Sequence, residues 1–190
     1  MSDLPAIQPQ RPRLPNVARH LEPERLIREH GSAIAAGFRA QFDGYSLQTA
    51  SGAREIQAAL GRVPPTAVML GLAEALTEAL TAKPNRSINA VSVAVMVDSR
   101  IRQPANLATY VEALTFDLAD LGFPPCVVVS ACQRLRREAV FAPEIAEVLK
   151  ACGEVQDSYR STAWMAERLA GDRRLAEERL ASLEPPGGSF

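Results

Sequence analysis

The sequence predicts an all-α protein, a compact multi-helix bundle with a long charged C-terminal helix and a disordered N-terminal arm. Three observations lead there. The 190 residues include 31 Ala, 20 Leu and 19 Arg with only 5% aromatics, a composition rich in helix formers and poor in the β-branched and aromatic residues that strands favour. Apolar residues recur at three- and four-residue spacing along most of the chain, and Pro and Gly punctuate those runs where helices begin and end. No second segment offers itself as a partner strand, and a lone strand cannot satisfy its backbone.

The elements follow in order. Pro5, Pro9, Pro12 and Pro15 remove donors and bias their predecessors toward extended backbone, so residues 1–15 read as a disordered arm. From Pro23, the positions Leu26, Ile27, Ile34, Ala35, Phe38 and Phe42 keep helical spacing, with Gly31 a weak point and Asp43-Gly44 a stop. A short helix over Ala53 to Leu60 ends at Gly61. Pro64-Pro65-Thr66 then introduces a helix carrying Val68, Leu72, Leu76 and Leu80, which ends before Pro84.

The apolar run Ile88 to Val97 fits either a strand or one face of a helix, and the want of a partner strand favours the helix. After Pro104 comes an amphipathic helix with Leu107, Tyr110, Val111, Leu114, Leu118 and Leu121, closed by Gly122. Pro125 opens the next, with Val127, Val128, Ala131, Cys132 and Leu135 to one side and Arg134, Arg136 and Arg137 toward its end. Pro143 starts a further helix with Ile145, Val148 and Leu149. The organisation expected is a helical domain over 16–152, a charged helix over 153–184 and a flexible tail over 185–190. In that charged helix Met165, Leu169, Ala176 and Leu183 lie near heptad spacing, Asp172 interrupts the row and Gly171 weakens it, so a solvated helix and a dimeric coiled coil are both open.

Composition also bounds function. A net charge of -1 argues against a surface that is wholly a basic glove for nucleic acid. Cys126, Cys132 and Cys152 form no CxxC pair, and His20 and His30 alone could join them, so buried reduced thiols are expected and no metal site. No signal-peptide core precedes the domain, and the longest apolar stretch is about half a membrane span. A cytoplasmic protein without membrane contact is the expectation. Phosphate loops, GxGxxG, HExxH and GxSxG are all missing, and Glu112, Asp117 and Asp120 have no His or second carboxylate helix to work with, so they read as solvated surface. The reading is therefore non-enzymatic, with no cofactor.

Two features could bind something. Arg134, Arg136 and Arg137 offer forked donors to phosphate, which makes a helical DNA-binding regulator one reading; cations favoured at a helix C-terminus are the simpler one. Trp164, the single tryptophan, stands with Met165, Arg168 and Leu169 in the charged helix, either packed on the body or as an anchor for a partner. Self-association through this helix is a third possibility.

One stretch carries a resemblance. Tyr110 with its leucine helix, the Gly-Phe-Pro-Pro turn, the apolar helix with Ala, and then Phe141, Pro143, Ile145 and Glu147 over about 107–150 resemble the helicase loader/inhibitor family of phage and prophage replication proteins. Tyr110 stands where a tryptophan is common, and the long part ahead of the motif departs from a family that places its folded part first. Physically, Phe141 suits a hydrophobic staple, Pro143 a first helical turn, and Glu144 and Glu147 the positive helix end. The resemblance implies a non-enzymatic adaptor whose partner is a replicative helicase, contacted through the segment after Leu149 that includes Trp164.

Overall fold

A computed structural model describes residues 17–41 and 53–183, and these form seven helices with no strand among the described residues. The Pro-rich arm, the Phe42 to Gly44 stop and the terminal tail lie outside the described residues. Helix α1 runs from Glu22–Leu26 through a π-helical turn at Ile27–Gly31 into Ser32–Gln41, and a 3-10 turn, Ala18–Leu21, precedes it. The widened turn falls at the Gly31 weak point. The other helices are α2 (Ala53–Leu60), α3 (Thr66–Thr81), α4 (Arg86–Asp98), α5 (Leu107–Asp120), α6 (Pro125–Glu138) and α7 (Ile145–Leu183).

Local chemistry explains most of these limits. Asn85 and Asn106 cap α4 and α5: each side-chain Oδ1 accepts from the backbone N–H three residues on, at 3.1 Å. The ambiguous run is thus helical, begun by its Asn cap. At the end of α5, Gly122 has φ +76, and the Gly122 and Phe123 N–H groups donate to the carbonyls of Ala119 and Leu118. That reversed pair of bonds requires the left-handed conformation that Gly adopts without penalty.

The core is layered. Helix α7 is a spine of 39 residues, about 58 Å long at 1.5 Å per residue. Helix α3 lies along it, α6 packs beside it, and α1 and α2 meet its C-terminal half; α4 covers the other side of α6, with α5 outermost on α4. Every residue from Pro125 to Cys132 is buried because α6 is covered on both sides. Fully buried Met69, Leu72, Leu76, Leu114, Leu118 and Leu169 each contribute roughly 1.5–3 kcal/mol of transfer free energy.

Two expectations about the C-terminal helix change. It runs unbroken from Ile145, so position 153 is no boundary: Gly153 and Gly171 are ordinary helical residues. Its regular stripe, Val148, Cys152, Val155, Tyr159, Thr162, Ala166 and Leu169, is buried inside the protein. The 3.5-residue repeat serves an intramolecular seam, in which small residues let neighbours approach. Gly37 shows how closely α1 comes: a Cβ there would lie 3.1 Å from Leu169 Cδ2.

Long-range arginines reinforce helix ends whose carbonyls already take local backbone bonds, Leu135 from the Ala139 N–H at 2.9 Å and Leu60 from the Val63 N–H at 3.4 Å. Arg100, 9% exposed, donates from Nη2 to the Leu135 carbonyl at 2.5 Å, placing a cation at the C-terminal end of α6. Arg173 pairs with Glu177 at 2.9 Å, the intrahelical pair its spacing predicts. Its Nη1 also donates to the Leu60 and Val63 carbonyls, at 2.7 and 2.8 Å, and so ties α2 and the following turn to α7.

Candidate protein-interaction surface

The residues of the resemblance converge at one end of the bundle. There the 99–106 connection between α4 and α5 meets the 139–144 connection between α6 and α7, and the Ala142 N–H donates to the Arg102 carbonyl at 3.3 Å. The Tyr110 hydroxyl, on the first turn of α5, donates to the Pro143 carbonyl at 2.6 Å. Burial raises the Tyr110 pKa to about 12, so the hydroxyl keeps the proton it donates. The Arg102 guanidinium lies 5.9 Å from the centre of the Phe141 ring. Together with Pro104 and Ile145 these residues line a concavity of about 560 Å³.

Helix α7 begins differently from the expectation. The Glu144 carbonyl accepts from the Val148 N–H at 3.2 Å, and Glu147 Oε2 accepts from the Glu144 N–H at 2.8 Å, which makes Glu144 the N-cap and Glu147 the returning half of a capping box. Pro143 therefore precedes the helix instead of entering its first turn, and its carbonyl is free to take the Tyr110 hydroxyl. Phe141 is not the staple, because a staple belongs at the residue before the cap, where Pro143 is buried. Phe141 is 56% exposed, beside Val140 at 60% and near Ile101 at 82%. Two tethered loops thus present three large apolar side chains to solvent, more than isolated surface hydrophobes need.

The other sequence candidates are spread elsewhere. Trp164 is 57% exposed and meets Phe38 edge-on, with ring centres 5.2 Å apart. Met165 is half-buried against the core, Arg168 pairs with Asp172 at 3.4 Å, and Leu169 is fully buried. Leu169 accordingly leaves the set of surface residues, because it faces the seam under Gly37. Two arginines of the cluster have carboxylate partners, Arg134 with Glu154 at 2.6 Å and Arg137 with Glu24 at 3.7 Å, while Arg136 donates to the uncharged Gln133 side chain at 3.0 Å and keeps its charge.

All three cysteines are free and buried. Burial pushes the Cys126 thiol to about 11 and the Cys152 thiol to about 12, and it raises Cys132 further still; none is an activated nucleophile. Among the described residues no three His, Cys, Asp or Glu side chains converge as a metal cage would need. No described helix is long and apolar enough to cross a membrane. Ile101 and Arg102 escaped sequence reasoning, since nothing in an Ser-Arg-Ile-Arg-Gln string announces that it will be held against Phe141. Comparison with family models, curated proteins and solved structures finds no match to this chain.

Proposed function

We propose that this chain is a cytoplasmic, non-enzymatic replication adaptor that binds a replicative helicase and controls its loading. The observation that carries a binding role is the apolar trio Ile101, Val140 and Phe141, held in solvent by two hydrogen-bonded loops. Keeping such groups exposed costs solubility and contributes nothing to the core, which is the pattern of a surface kept for a partner. The partner class rests on the resemblance carried by Tyr110, Phe141, Pro143, Ile145 and Glu147, all at that same end.

The test is co-purification of the full chain with the hexameric replicative helicase of the organism that encodes it. The double variant Ile101→Ser/Phe141→Ser is expected to lose at least ten-fold in affinity while keeping its melting temperature, since both side chains are exposed. Trp164→Ala assigns the contribution of the α7 face. Failure of the unsubstituted protein to bind the helicase overturns the proposal.

A further inference from the structure

Helix α4 turns an apolar face outward. Between Arg86 and Asp98 at its two ends it carries no charged residue, alone among the described helices. The residues that reach solvent between those ends are Ser87, Ala90, Val91, Ala94 and Val95, with Val95 40% exposed. A helix with one side in water ordinarily keeps charged and polar groups there, and one that is apolar all round is ordinarily buried.

Apolar ground continues on both flanks of this face. Toward α6, Val91 and Val95 border a narrow hollow with Met96 and Val129, and Val17, the first described residue, forms part of its wall. Toward α5, Ala90 borders an open groove of about 710 Å³ with Leu107, Val111 and Phe116, whose side chain is 54% exposed. Arg86 and Glu112 bring one charge of each sign to that groove, so what it offers an occupant is apolar contact. The strip from Val17 across α4 to Phe116 is larger than scattered surface hydrophobes make.

A segment long enough to cover the strip is tethered at its edge. Sixteen residues precede Val17; at about 3.1 Å per residue in polyproline II they reach about 50 Å, against about 20 Å for the 13 residues of α4. Pro5, Pro9, Pro12 and Pro15 bring no N–H groups to desolvate, and the last three are spaced by one polyproline turn, which puts them on one side of such a strand. Leu4, Ile7 and Leu14 add apolar side chains. The proline content that bars this segment from helix and sheet suits it to an extended strap. We infer that residues 4–15 lie across the outer face of α4, with Leu14 beside Val91 and Val95 and Ile7 toward the groove at Phe116. Attachment at Val17 holds the segment at about millimolar effective concentration, so a contact too weak for a separate partner suffices.

The inference is independent of the helicase reading and has its own test. Backbone 15N relaxation of the full-length protein gives order parameters for the Ile7 and Leu14 amides, expected above about 0.6, the upper limit for a free chain. Ala94→Glu, which sets a charge in the middle of the strip, and Leu14→Ser should each bring both values below that limit. Ser161→Glu, at an exposed position of α7, should leave them unchanged. Circular dichroism melts confirm that these surface variants remain folded. The inference is overturned by values below about 0.6 in the unsubstituted protein or by equal responses to Ala94→Glu and Ser161→Glu. It is overturned equally by loss of order in Ile101→Ser/Phe141→Ser, which would place the segment on the apical surface, or by order that disappears on dilution together with a dimer, which would make a second copy the occupant.

Discussion

Arg173→Ala should be among the most destabilising polar substitutions in the protein. The side chain is only 16% exposed, and its Nη1 serves two backbone carbonyls, Leu60 at 2.7 Å and Val63 at 2.8 Å. A hydrogen bond from a charged donor contributes about 1.5–3 kcal/mol, and truncation takes the donor from the Val63 carbonyl while the Leu60 carbonyl keeps only the long bond from the Val63 N–H, at 3.4 Å. Residual solvent access lowers the sum, giving a loss of about 2–4 kcal/mol. At about 2–4 °C per kcal/mol for a domain of this size, the melting temperature should fall by about 4–16 °C. Arg173→Lys keeps the charge but not the fork, and should recover part of the loss. Glu177→Gln, which touches only the exposed end, should cost less than about 1 kcal/mol. Urea unfolding of the three variants, followed by circular dichroism, measures the set. A loss below about 1 kcal/mol for Arg173→Ala, or equal losses for Arg173→Ala and Glu177→Gln, would refute the view that this arginine fastens α2 to the spine.

The same Gly→Ala change should act with opposite signs in two backbone settings. A Cβ at Gly153 or Gly171 meets nothing within 4 Å inside a regular helix, so each substitution should stabilise by about 0.5–1 kcal/mol, while Gly122→Ala at φ +76 should cost about 1–2 kcal/mol, all read from thermal melts. Asn89 is fully buried with neither side-chain polar atom partnered, and Asn89→Leu should raise the melting temperature; a clear fall would show that the amide is satisfied. Stability should decline above about pH 9. The pKa values of Cys126, Cys132, Cys152, Tyr110 and Tyr159 are all raised by burial from 9.0 or 10.0, so the unfolded chain releases these protons first while the folded one retains them. Each group that has titrated only in the unfolded chain contributes a slope of about 1.4 kcal/mol per pH unit. Urea midpoints that stay level from pH 8 to 10.5 would contradict this.

Much of the helical layout was legible in the sequence because its signals are local. Gly61 ends α2, Pro64-Pro65-Thr66 introduces α3, Gly122 closes α5 and Pro125 opens α6, each acting on backbone groups a few residues away. The Asn caps at 85 and 106 act just as locally, yet only the structure assigned them, since the apolar pattern that follows Asn85 suits a strand as well as a helix. Periodicity also marked the buried faces of α3 and α5, since a stripe at 3.6-residue spacing must face something apolar.

Which stripe faces which neighbour was decided only by the tertiary structure. Leu169 looked like a surface anchor in a charged helix, and became core because α1 closes over it at Gly37. Arg173 looked like half of a surface pair, and became a tie to carbonyls more than a hundred residues earlier, as Arg100 became a cap for α6. Phe141 looked like a staple and became exposed, because Tyr110 holds Pro143 and Arg102 holds the loop. Such contacts join side chains whose separation in sequence carries no periodic signal. Helix limits follow from local backbone chemistry, whereas surfaces are set by which faces remain uncovered once the helices have packed.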